Sequence, residues 1–216
     1  NTMETKKLKK TKPLQVMFEG SRVIEVTIEN PVSRYYVYGK YDIEGTFTNA
    51  ADAINLAYEI SGTVVNHKGD YVWKRTARST RNQIMAITGK ASNEESSSLA
   101  VCLETILGFV GSVKNVQPML DNGKTIRQIL EENLNDTTVL DLRGVSLDAV
   151  LYYVNQDIPV LATLEDGSAM LVIGFNELNV VVMNPENGTI YKIGMNDAAE
   201  LFQQNGNEFV TYLKNK

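Results

Sequence analysis

The sequence predicts an α+β protein, and three observations carry that prediction. The early part of the chain alternates strand-forming runs with a single amphipathic helix. From about residue 98 onward, helical runs come first and a series of short strands joined by tight turns follows, which is the order of an α+β rather than an α/β chain. Apolar residues make up 43% and charged residues 22% of the 216 positions, the balance of a globular domain with a packed core.

Taken in order, LQVMFEG (14–20) and SRVIEVTIE (21–29) are strand-forming runs that meet at Gly20 and Ser21, as in a hairpin. RYYVYGK (34–40) offers a further strand. Thr48 or Asn49 can cap a helix in which Ala53, Ile54, Ala57, Tyr58 and Ile60 keep helical spacing, with a stop at Ser61–Gly62. GTVVNHKGDYVWKR (62–75) reads as a second hairpin turning at NHKGD. Residues 76–97 change character. TARSTRNQ is polar and basic, QIMAITG is a short strand-like run, and KASNEESSS is polar, so a domain junction is expected between 76 and 90.

Beyond the junction, LAVCLETILGFVG (99–111) is apolar almost throughout and ends at a glycine, so it predicts a largely buried helix. Leu99, Leu103, Ile106 and Leu107 are expected to bury against a sheet formed by 158–194. Thr125 caps an amphipathic helix in TIRQILEENL, DTTVLDL is a strand, and Ser146 caps a helix through LDAVLYYVN. IPVLATL, SAMLVIGF, NVVVMN and TIYKIG then follow as strands turning at EDG, NEL and PENG, before a short helix DAAELFQQNG and a last strand EFVTYL. The expected organisation is a basic leader over 1–12, a small α+β domain over 13–78 and a second domain over 79–216.

Charge and rare residues bound the chemistry. The chain carries −5 overall, while residues 1–12 hold five lysines and one glutamate, +4, which leaves −9 for the rest. The lysine run reads as a solvated leader, with an anionic wall polymer or membrane surface as the alternative contact. An acidic body without a basic stripe argues against nucleic acid. No apolar run approaches the roughly 20 residues of a membrane helix. One cysteine, Cys102, excludes an internal disulfide and a multi-cysteine zinc site, and no metal or cofactor is expected. Cys102 falls inside the apolar helix and reads as a small buried hydrophobe. The one histidine, His67, falls in a hairpin turn and reads as exposed and structural.

Residues 98–216 resemble the bacteriocin-processing (double-glycine leader) branch of the papain-like cysteine peptidases. Four fragments in order carry the resemblance: SLAVCLETILGFVG, SLDAVLYYVNQDIPVLATLEDGSAMLVIGF, NVVVMNPENG and MNDAAELF. It implies a papain-like second domain. A residue at a helix N-terminus faces a sheet whose neighbouring strands hold a base and an orienting group, and the helix N-terminus lowers the pKa of a thiol placed there. On this chain the cysteine position falls on Ser98, the histidine position on Ser168 and the aspartate position on Asn184. The glutamine that serves the oxyanion has no match in ASNEESSS. Losing the histidine removes the general base, so the resemblance implies a degenerate peptidase without catalytic activity.

The expected function is a non-catalytic module that binds a peptide or a cell-wall component, through a groove of the kind that pairs with extended peptides. The resemblance places it outside the cell or on the surface of a Gram-positive bacterium. The alternatives are a hydrolase that uses Ser98 with an unorthodox base, and a purely structural or assembly protein whose Tyr35, Tyr36, Tyr38 and Trp73 form a contact surface.

Overall fold

The computed structural model describes residues 34–75 and 84–216, together with the backbone of 12–18 and 22–28. Residues 1–34 and 35–216 form two compact units. Of the first, β1 (Lys12–Phe18) and β2 (Arg22–Ile28) pair antiparallel as the expected hairpin, in register from Lys12 opposite Ile28 to Phe18 opposite Arg22. Lys12 is therefore the first residue of a strand and not the end of a leader; the rest of the expected leader lies outside the described residues.

The second unit opens with β3 (Tyr35–Tyr38), β4 (Ile43–Phe47), α1 (Ala50–Ile60), β5 (Thr63–Asn66) and β6 (Tyr71–Lys74). The four strands make an antiparallel sheet in the order β4-β3-β5-β6. Of the two expected caps, Asn49 starts α1: its Oδ1 accepts the Asp52 N–H at 2.9 Å. Ser61 ends the helix at φ 55°, and the Gly62 N–H reaches back to the Ala57 carbonyl at 2.8 Å. Ala53, Ile54 and Ala57 are buried as the spacing demands, whereas Ile60, the last helical residue, lies 41% exposed.

The chain continues through α2 (Ser98–Phe109), α3 (Gln117–Asp121), α4 (Ile126–Asn133), β7 (Thr137–Asp141) and α5 (Leu147–Val154). Then come β8 (Val160–Thr163), β9 (Ala169–Phe175), β10 (Asn179–Asn184), β11 (Thr189–Gly194), α6 (Met195–Gln204) and β12 (Glu208–Lys214). Thr125 and Gln128 close a reciprocal capping box on α4, and Ser146 caps α5 through the Ala149 N–H at 3.2 Å. The strands form one antiparallel sheet of order β11-β10-β9-β8-β12-β7. The expected meander β8 to β11 is present. β12 returns to lie between β8 and β7, so the last strand is internal. All seven residues of β9 are buried, as a strand with neighbours on both edges and cover on both faces should be.

Two expectations fail here. QIMAITG is not a strand: residues 84–90 join no ladder and make a single bond to the sheet, from the Met85 N–H to the Ile173 carbonyl at 3.0 Å. Ile173 sits in β9, both of whose edges are already taken by β8 and β10. The segment is a strap whose Met85 and Ile87 are buried while Ile84, Ala86 and Thr88 are exposed. The expected boundary at 78/79 does not divide compact units either. Trp73, 1% exposed, donates from Nε1 to the Ala149 carbonyl at 2.8 Å, and the Tyr153 hydroxyl donates to the Val72 carbonyl at 2.8 Å. Tyr58 adds a hydroxyl bond to Asp148 Oδ2 at 2.7 Å. β6 and α5 are thus joined through buried aromatic and polar groups, and one hydrophobic core runs from Tyr35 to Leu213.

Candidate functional site

α2 is set by local chemistry before any packing. The Ser97 hydroxyl accepts the Ala100 N–H at 3.2 Å, so Ser97 is the cap and Ser98 the first helical residue. Ala100, Val101, Cys102, Leu103, Ile106 and Leu107 are buried, and the helix packs on β9 and β8. Leu99, expected in the core, is only half-buried: it sits on the first turn of α2 and packs at the margin of the core.

That packing brings Ser98 to the start of β9. The Ser98 hydroxyl accepts the Ala169 N–H at 3.1 Å across 71 residues of sequence. Ser168 directly precedes β9, in the turn that follows Gly167. Its N–H and its hydroxyl both reach Asp166 Oδ1, at 2.9 and 2.5 Å. The Ser168 hydroxyl donates to this carboxylate and the Ser168 N–H supports it, and together they hold Asp166 below the usual carboxylate range. Asn184 closes β10, which pairs with β9 antiparallel as far as Met183 opposite Leu171. Its side chain accepts the Glu186 N–H at 2.9 Å and so shapes the PENG turn.

Ser98 therefore meets the backbone next to Ser168, and Ser168 and Asn184 lie at one end of paired strands, while each of the three side chains bonds to a local or backbone group rather than to another of the three. Two hydroxyls and an amide supply no group that ionises near neutral pH. Asp166, to which sequence reasoning gave no functional role, is the carboxylate bonded to the set among the described residues; the D-G-S turn was its available signal. Among the described residues, no group of three or more His, Cys, Asp or Glu side chains is placed to hold a metal.

The strap closes the same end of the sheet. The Ser92 N–H donates to the Pro185 carbonyl at 2.5 Å, and a Cβ on Gly89 would stand 1.7 Å from the Gly188 carbonyl oxygen. Only glycine fits there. Lys90 is ion-paired with Glu104 of α2, whose other oxygen accepts the Val116 N–H at 3.0 Å.

Neither remaining candidate nucleophile nor base competes. Cys102 is fully buried one turn past Ser98, and burial pushes its thiol from an ordinary value near 9 up to about 12. A raised thiol favours folding fully below its ordinary value, and that contribution fades as pH climbs from there toward 12. Native protein is expected to resist iodoacetamide at about pH 8 and to label fully once unfolded in guanidinium; rapid native labelling would show that the helix is not buried here. His67 is exposed in the β5–β6 turn of the four-stranded sheet.

No family model and no curated protein sequence matches the chain. Its fold is similar to a crystal structure from Bacillus anthracis described as an inferred C39-like peptidase, with a TM-score of 0.47 and 14% sequence identity, covering 62% of this chain and 94% of that one. Among the described residues, no helix is long and apolar enough to cross a membrane.

Proposed function

We propose that the chain is a peptidase-like module that holds a peptide without cleaving it, at the surface of a Gram-positive bacterium. The carrying observation is the Ser98 hydroxyl bonded to the Ala169 N–H at 3.1 Å. It sets the first residue of α2 beside the start of β9, where the papain-like resemblance expects a nucleophile to meet its base. The residues present there are serines. Ser168 spends its hydroxyl on Asp166, and serine without a base is a poor nucleophile. Substrate-type binding needs none of the lost groups, since extended peptides are held by main-chain pairing and side-chain pockets.

The test is incubation of the native chain with a fluorogenic peptide library. No turnover above buffer is expected across neutral pH. Turnover that disappears in Ser98→Ala would replace the binding module with a serine hydrolase using an unorthodox base.

A further inference from the structure

Away from the Ser98 end of α2, the strap and the helix leave a cleft of about 290 Å³. Ala86, Ile87 and Thr88 form one wall, and Thr105, Gly108 and Phe109 the other. That volume is near the lower end of small-ligand pockets, enough for one or two side chains of a bound segment.

Three features of the cleft point to an occupant. The first is the strap backbone. Ile87 spends its N–H on the Met85 carbonyl, but among the described residues the main-chain N–H and C=O groups of Ala86 and Thr88 take no hydrogen-bond partner. Unpaired main-chain groups along an exposed segment with alternating burial are what an added strand bonds to.

The second feature is Gly108. It lies inside α2, yet a Cβ there would meet no atom within 4 Å, and the left-handed turn that ends the helix belongs to Gly111 at φ 85°. Neither crowding nor backbone conformation requires glycine at 108, and glycine weakens a helix. Exposed on the α2 wall, it leaves the space beside it in the cleft open.

The third is the rim. Val113 is 91% exposed and Val110 43%, apolar surface beside a small cleft. Lys90, Lys114 and the largely buried Glu104 line the cleft, a balance of +1 on a chain of −5. Glu104 is already engaged by Lys90 and by the Val116 N–H, so the charge left to a ligand is positive.

We propose that this cleft binds a short extended peptide segment with apolar side chains and flanking carboxylates, lying alongside Ala86–Thr88 over Gly108. The proposal deepens the function given above, and rests on it for the class of ligand.

The test uses the full chain and the probe N-acetyl-Asp-Val-Leu-Val-Asp-amide, by calorimetry and amide chemical-shift mapping. Saturable binding is expected, with shifts concentrated in 84–90 and 104–114. A peptide with lysine in place of both aspartates should bind at least about tenfold more weakly, as should the acidic peptide to Lys114→Glu. Gly108→Leu fills the cleft from the α2 wall and improves the helix, so it should abolish binding while the melting temperature holds or rises. Absence of saturable binding up to about 1 mM, equal affinity for the lysine peptide, or wild-type binding by Gly108→Leu would overturn the proposal. So would sedimentation showing a dimer that Gly108→Leu dissolves, which would assign the cleft to a second copy of the chain. Hydrolysis of the fluorogenic library bears only on the Ser98 site, so the two failures are distinguishable.

Discussion

Trp73→Ala is expected to remove about 3–5 kcal/mol of stability and to lower the unfolding midpoint of both sheets of residues 35–216 together. The indole is 1% exposed and lies tilted against Tyr58 and Tyr152, with ring centroids 6.2 and 6.4 Å away. Its N–H is bonded to the Ala149 carbonyl of α5, so alanine leaves a large void and breaks a buried bond between the two sheets' supporting elements. Denaturant unfolding followed by circular dichroism should show one transition in the wild type and one, shifted, in the variant. Two transitions, with only the first displaced, would restore an independent domain ending near residue 78.

Leu103→Ala is expected to cost about 2–5 kcal/mol, a drop in melting temperature of roughly 5–15 °C for a unit of this size. Leu103 is fully buried in α2, the helix that packs against β9 and β8. The neighbouring strands are filled by Leu161, Leu171 and Ile173, all fully buried, so little rearrangement is available to close the void. Leu99→Ala, at the half-buried first turn, should cost distinctly less. An unchanged melting temperature for Leu103→Ala would remove α2 from the core.

The helices were legible because their starts are written locally. Asn49, Thr125 and Ser146 each cap through a bond spanning three residues, and such bonds depend on residue type and spacing alone. β8 to β11 were legible because their apolar runs are cut by turn residues. β4 was missed: IEGTF has a central glycine and mostly exposed side chains, so no burial period marks it. α3 was missed because five residues give too few turns for a pattern. QIMAITG has a strand's alternation, but β9, the strand it meets, already has β8 and β10 as neighbours. The domain boundary failed for a similar reason, since the sequence shows that Trp73 is aromatic but not that Ala149 receives its N–H.

The site divides in the same way. The Asp166–Ser168 bonds are local and follow from a D-G-S turn, and the Asn184 turn follows from N-P-E-N-G. The approach of Ser98 to Ala169 has no local signal. It was reached through the papain-like resemblance, which supplied the long-range pairing that periodicity cannot give. The Gly108 cleft had no sequence signal beyond a glycine in an apolar helix.

The central claim is that Ser98 and Ser168 stand where a nucleophile and its base would meet. The measurement is the pH dependence of iodoacetamide alkylation in the triple variant Ser98→Cys, Ser168→His, Asn184→Asp, against Ser98→Cys alone, with the unlabelled native chain as the blank for buried Cys102. The expected result is a new thiol in the triple variant that titrates below the ordinary thiol value, because an imidazole joins the α2 N-terminus beside it, and a smaller depression in the single variant. A thiol that titrates identically in both variants would show that positions 98 and 168 do not meet, and would contradict the account.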